Sequence, residues 1–297
     1  MKPFNSKDTV AGKQKAGGRS HLFFCLFRQN KFLIFYTLFF FISILFLPVI
    51  RMGDLLDNKA LEEQQIALKE DMKKAVENEK EVMKEVKEEA EITMLPEYKA
   101  LYEQNNDFIG WLSIEDTVID YPVMQCEEDE NFYLIRNFYQ KENKNGCLIL
   151  DNDSKAGVGT WEQRYVNGSK PSTNLIIHGH TIKTGQMFGG LQKYQNKEYG
   201  LAHNILCFDS LYEKRKYQLI SVFYSQVYYQ SQEVFKYYKF FQANTQKEFD
   251  DWYNNIKEMS LYDTGVTAQL GDEFITLSCC AYHVEDGRFV VVGKRIY

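Results

Sequence analysis

The spacing of apolar residues changes character several times along the chain, and each change marks an element. From Phe32 to Ile50, FLIFYTLFFFISILFLPVI runs nineteen residues without a charge. That length is just enough to cross a bilayer as a helix. Residues 53–92 read as a second helix of a different kind. The segment LEEQQIALKEDMKKAVENEKEVMKEVKEEAEI is built of strong helix formers and contains no Gly or Pro. Its apolar positions (Leu61, Ile66, Leu68, Met72, Val76, Val82, Met83, Val86 and Ala90) recur every three or four residues without a strict heptad. So thin a stripe predicts a solvated stalk, about 60 Å long at 1.5 Å per residue, rather than a coiled coil. Pro96 ends the linker.

After a helical stretch from Tyr98 to Asn106, the period shortens to that of strands. FIGWLSI, VIDYPVM, CLILD, NLIIHG, ILCFD, KYQLISVFY, EFITLSCC and RFVVVGKRI follow one another between turn-like residues. Eight such runs predict a mostly β fold, a closed or nearly closed barrel rather than a parallel α/β sheet. One interruption, TQKEFDDWYNNIKEMS, restores helical spacing before the penultimate strand. Thr245 is its expected cap, and Phe249, Trp252, Tyr253 and Ile256 form its apolar face. The chain therefore divides into a basic segment (1–31), an anchor (32–50), a charged helical stalk and linker (51–96) and a globular domain (97–297).

Charge sets the orientation of the anchor. The formal net charge of -6 conceals a segregation: residues 1–51 hold eight Lys or Arg against one Asp, whereas residues 52–91 hold thirteen acids against seven lysines. Basic flanks stay in the cytoplasm, which places the N-terminus inside and the globular domain outside the cell. A cleaved signal peptide is the alternative, since the leading flank is basic. The apolar run is long for one, however, and Pro-Val-Ile-Arg offers no small-x-small cleavage site. The rest of the chain is acidic too, and it lacks the clustered Lys and Arg that phosphate backbones require, which argues against a nucleic-acid partner.

Candidate chemistry is concentrated near the C-terminus. The six cysteines (Cys25, Cys126, Cys147, Cys207, Cys279 and Cys280) match neither a zinc pattern nor a small disulfide scaffold. Cys25 lies in the apolar N-terminal region, and Cys126, Cys147 and Cys207 sit singly in strand-like runs as small buried hydrophobes. Cys279 and Cys280 are adjacent. On the strand FITLSCC, Cys279 shares the face of Ile275 and Leu277, whereas Cys280 shares that of Thr276 and Ser278. A thiol at a strand end beside hydroxyls becomes reactive where a cation lowers its pKa.

His178 and His180 lie on one face if their strand persists, the geometry of a metal pair, but further ligands are missing. Gly179 instead starts a turn that projects His180 from the strand end, with His178 structural. Arg288 opens the last strand. A wide loop from Ala281 to Gly287 sets it opposite Cys280; a tight Asp286-Gly287 turn would set Cys280 opposite Gly293. Spacing leaves both arrangements open. Neither a metal nor an organic cofactor is implied.

With these residues assembled, a family comes into view. FITLSCC followed by GRFVVVGKRI resembles the TLxTC-strand-Arg ending of sortases, and IIHGHTIKTGQMFGGLQKY resembles their histidine loop. DFIGWLSIEDTVIDYPVMQCEEDENFYL, with its YPV-x-Q run, is similar to the opening strands of class B sortases, and the helical insertion points the same way. The similarity covers about residues 97–297. It implies the sortase eight-stranded β-barrel with flanking helices, preceded here by a transmembrane helix and a helical stalk.

The resemblance also assigns roles. Cys280 is the expected nucleophile, His180 the acid and base, and Arg288 the group that stabilises the oxyanion or orients the substrate. Ser278 is expected to line the substrate groove. Two departures stand out: His178 replaces the usual Tyr and Cys279 the usual Thr. Adjacent thiols raise the expectation of a vicinal disulfide that would switch the enzyme off. The implied reaction is cleavage of a C-terminal sorting motif on surface proteins and transfer of the acyl fragment to a peptidoglycan-precursor amine. The rivals are a membrane-tethered cysteine protease, which would use the same residues with water, and a non-catalytic scaffold.

Overall fold

The computed structural model describes residues 53, 55–78 and 92–297. The expected anchor (32–50) and the basic segment before it lie outside the described residues. Asp57–Tyr297 form a single compact unit.

Eight strands close into a barrel: β1 (Phe108–Ser113), β2 (Asp120–Met124), β3 (Leu148–Leu150), β4 (Asn174–Gly179), β5 (Ile205–Ser210), β6 (Lys214–Gln226), β7 (Phe274–Cys280) and β8 (Gly287–Arg295). Their order around the barrel is β1-β2-β3-β4-β7-β8-β6-β5, and β5 pairs back onto β1. All eight expected runs form strands, although the second is shorter than its apolar run. Two neighbouring pairs are parallel, β2 with β3 and β4 with β7. Such pairs need long crossovers, and the β4–β7 crossover contains everything from the histidine loop to the helical insertion.

Alternation along the strands produces two apolar layers. Leu112, Tyr121, Leu175, Ile177, Leu277, Cys279, Phe289 and Val291 point inward and fill the barrel. Phe223, Phe274, Val290 and Val292 point outward from β6, β7 and β8, and are covered by Trp252, Phe249 and Ile256 of α4 (Gln246–Glu258), which follows the short α3 (Lys197–Ala202) in the chain. The Trp252 ring packs edge-on to Phe274, with centroids 4.7 Å apart. Thr245 caps α4 as expected: its hydroxyl accepts from the Glu248 amide, and the Glu248 carboxylate accepts from the Thr245 amide. This reciprocal capping box satisfies two amides that have no partner within the helix. Because β7 has an apolar layer on each side, six of its seven residues are buried, and only Cys280 reaches the surface.

The stalk departs from expectation. Residues 55–78 form a helix, α1, but Leu61 and Leu68 are buried in the apolar clusters of the barrel. Lys69 pairs with the Asp120 carboxylate, Gln65 Nε2 donates to the Asp120 carbonyl at 2.7 Å, and Trp111 Nε1 donates to Asp120 Oδ1 at 2.7 Å. The described length of α1 from Asp57 onward is thus laid on the domain rather than solvated. Fully burying each leucine contributes about 1.5–3 kcal/mol, which outweighs the thinness of the stripe. A second helix, α2 (Pro96–Gln104), packs Tyr98 and Leu101 into the same layer as Leu68.

Candidate active site

Three strand ends build the site. Parallel pairing sets Gly179 of β4 opposite Cys279 of β7. The next residues along the chain, His180 just past β4 and Cys280 at the end of β7, therefore emerge side by side from strands about 4.8 Å apart. On the other side of β7, Cys280 pairs with Arg288 of β8 in the antiparallel ladder. The loop from Ala281 to Gly287 is the wide one, so the tight-turn alternative does not occur. His180, a hundred positions before Cys280, thus joins Cys280 and Arg288 in consecutive places across one rim of the barrel. All three are half-buried.

Glycine is required at position 179. A Cβ there would lie 2.5 Å from the Phe188 ring and 2.6 Å from a Leu148 methyl. The closeness lets the histidine loop fold back over the strand end, where the Phe188 amide donates to the His180 carbonyl at 3.0 Å and Thr181 bridges to Met187. The same loop grips the end of β7: Thr181 Oγ1 donates to the Cys280 carbonyl at 2.6 Å, and Gln192 Nε2 reaches the same oxygen at 3.4 Å.

The His180 ring is oriented by the backbone. Its Nε2 lies 2.7 Å from the carbonyl oxygen of Leu134, in the β2–β3 connection. A carbonyl only accepts, so Nε2 carries the hydrogen, which leaves Nδ1 as the nitrogen with a lone pair. His178 takes a separate path. Its Nε2 lies 3.2 Å from Asp151 Oδ2, which ties it to the end of β3. Arg288 Nη1 donates to the carbonyls of Asp286 (3.1 Å) and Gly287 (3.0 Å), bracing its guanidinium against the turn beside Cys280.

The two thiols are opposite in character. Cys279 is 2% exposed inside the barrel, and burial pushes its thiol up to about 11. Cys280 faces outward. Because Cys279 pairs with Gly179 and Phe289 in regular ladders, the two sulfurs project from opposite faces of the sheet. A vicinal disulfide would require dismantling both ladders, so the expected redox switch does not fit this fold.

Ser278 also differs from expectation. It lies on the face of Cys280 but is 2% exposed, with its hydroxyl 2.7 Å from that of Tyr237. The serine is sealed beneath the tyrosine and lines no open groove. Tyr237, Thr181, Gln192 and the Leu134 carbonyl are the site components that sequence reading passed over. Thr181 and Gln192 fall inside the histidine-loop motif. The Leu134 carbonyl has no residue-type signature at all.

This geometry can be set beside known proteins. No family profile matches the chain. Sortase B of Listeria monocytogenes is 31% identical over 205 residues, covering 67% of this chain and 74% of that protein. The chain belongs to the sortase B family. Among solved structures, sortase B from Bacillus anthracis in complex with AAEK1 is 26% identical at a TM-score of 0.63, covering 82% of this chain and 99% of that one. The Staphylococcus aureus sortase B-substrate complex shares the fold at a TM-score of 0.62 and 22% identity, over 82% of this chain and 98% of that one. As a sortase the protein is a cysteine transpeptidase, an enzyme of acyl transfer through a thioester. Both sequence departures are now placed: this sortase carries His178 tied to Asp151, and Cys279 inside the barrel.

Proposed function

We propose that Cys280 is the nucleophile of this sortase, His180 its acid and base, and Arg288 its electrostatic partner. The observation that carries the assignment is the register in which Cys280 pairs with Arg288 while β4 delivers His180 alongside. The Cys280 sulfur, its proton passed to His180 Nδ1, attacks a peptide carbonyl to give a tetrahedral oxyanion. Arg288, always charged, stabilises that oxygen or orients the acyl segment. Collapse breaks the C–N bond. His180 returns the proton to the departing amine, which leaves a thioester on Cys280. An incoming amine then attacks the thioester and gives a proton to His180, the C–S bond breaks, and His180 passes that proton to the departing sulfur, which regenerates the thiol.

The acyl donor in this reading is a surface protein bearing a C-terminal sorting motif, and the acceptor is a peptidoglycan-precursor amine. The Staphylococcus aureus relative solved with substrate supports a peptide donor site in this fold. Residues 32–50 tether the enzyme to the membrane, with residues 1–31 in the cytoplasm. Residues 51–96 lead to the extracellular catalytic domain, 97–297. Ser278 acts through Tyr237, by fixing the ring that borders the site.

Mass spectrometry of the intact enzyme after exposure to sorting-motif peptides tests the assignment. A thioester mass on Cys280, discharged by triglycine to a ligated product, is expected. Cys280→Ala should form neither. Discharge by water alone, with no gain from added amine, would make the protein a protease. An adduct on any other residue would overturn the assignment.

A further inference from the structure

Ser225, near the end of β6, is 5% exposed, and its Oγ has no hydrogen-bond partner among the described residues. Leaving a buried hydroxyl unpaired is costly, and such groups are rare in folded proteins. This one lies in a particular place. Ser225 is the cross-strand partner of Arg288, which is in turn the partner of Cys280. Residues directly opposite in an antiparallel ladder share a face, with Cβ atoms about 5 Å apart. The next pair along, Tyr224 and Phe289, turns toward the barrel interior with its rings 4.9 Å apart. Ser225, Arg288 and Cys280 therefore form one row on the outer face.

Arg288 is held in this structure through a single nitrogen. Its Nη1 donates to the Asp286 and Gly287 carbonyls, while Nε and Nη2 have no acceptor among the described residues. Both carbonyls have a second donor: the Val227 amide donates to that of Asp286 at 3.0 Å, and the Ala281 amide to that of Gly287 at 2.9 Å. The guanidinium can leave its turn without stranding either oxygen. Once it leaves it needs an acceptor, because an oxyanion engages only one edge of the planar fork. The Ser225 hydroxyl is an unused acceptor on the same face, across the ladder.

We propose that Ser225 is a positioning residue for Arg288: its hydroxyl accepts from Nε when the guanidinium moves off the turn, and fixes the fork beside Cys280 as the oxyanion forms. The unpaired hydroxyl is a cost carried by the free enzyme and relieved in the transition state, where the new bond lowers the barrier. This role presupposes that Arg288 acts as proposed above.

A double-mutant cycle tests it, with the peptide that acylates Cys280 fastest in the mass-spectrometric assay as donor and triglycine as acceptor. Ser225→Ala should lower kcat about tenfold or more with KM unchanged, as expected for a bond to a charged group made only in the transition state. In an Arg288→Ala background the same substitution should change kcat by less than about twofold. The denaturation midpoint of Ser225→Ala should hold or rise, since alanine removes an unpaired buried hydroxyl. A serine serving structure alone would instead lower the midpoint and slow both backgrounds alike. Undiminished kcat in Ser225→Ala, equal loss in both backgrounds, or a lowered midpoint would each overturn the role of Ser225 and leave that of Arg288 standing. Full activity in Arg288→Ala would overturn both.

Discussion

Cys280 and Arg288 are cross-strand partners at the loop end of the β7–β8 ladder. The pairing is fixed by seven consecutive registers beginning at Phe274 and Lys294, so no movement of the intervening loop is needed to bring sulfur and guanidinium to the same rim. Arg288→Ala should therefore lower kcat/KM for peptide ligation by about 100- to 1000-fold, the range found when one oxyanion donor is lost. Arg288→Lys should recover only part, since a point charge cannot reproduce the planar fork. The melting temperature should move little, because Arg288 is half-buried and donates to the carbonyls of its own turn.

Much of this arrangement is written in local periodicity. FITLSCC alternates, and its alternation alone assigns Cys279 inward and Cys280 outward. Eight β-rich runs count the barrel, and Thr245 marks the start of α4. What periodicity does not carry is register between strands. The choice between the wide and tight loops after Cys280 rests on seven paired positions contributed by two strands at once. Nor does a sequence display a backbone acceptor, so the Leu134 carbonyl that orients His180 is invisible in it. The stalk misleads for a related reason: two leucines in a charged helix look insufficient until the surface that receives them is known.

That surface makes α1 a structural part of the domain. Leu68→Ala should destabilise the domain by about 2–4 kcal/mol through lost burial and a residual cavity. Lys69→Ala, which removes a half-exposed ion pair with Asp120, should cost no more than about 1 kcal/mol. Chemical denaturation monitored by circular dichroism distinguishes the two. Equal, negligible effects would return α1 to the role of a free stalk.

Cys279 makes stability depend on alkaline pH. Burial raises its thiol from 9.0 to about 11, so the folded state keeps the proton that the unfolded chain releases. Its contribution is complete below pH 9 and is withdrawn as pH rises toward 11, because unfolding then frees a proton. The loss amounts to about 3 kcal/mol at most over that window. Cys279→Val should flatten the alkaline slope of the denaturation midpoint relative to wild type, with the buried tyrosines and Cys147 as a common background. The same burial predicts that iodoacetamide labels Cys280 in the native protein and leaves Cys279 unmodified until it unfolds. Oxidant should produce no intramolecular loss of both thiols.

Gly179 tests whether the strand end itself places the histidine. An alanine methyl at 179 would lie 2.5 Å from the Phe188 ring and 2.6 Å from Leu148, so one of them must yield. Leu148 and Phe188 are both buried in the barrel core; Leu148 is fixed in β3, whereas Phe188 belongs to the loop that returns to the His180 carbonyl, so a shift of Phe188 carries the histidine loop with it. Gly179→Ala should cost about 1–3 kcal/mol in stability from overpacking. It should cost far more in turnover, about 100-fold, since displacement of an acid–base group by an ångström is enough for that. Combining it with Phe188→Leu, which vacates the closer contact, should restore part of the activity while leaving the Leu148 clash. Thioester formation and triglycine-dependent ligation should fall together in Gly179→Ala, because the proposed mechanism uses His180 in both half-reactions. Unimpaired turnover in that variant would mean that His180 is positioned by its hydrogen bond to Leu134 alone, and that the β4–β7 register is incidental to catalysis.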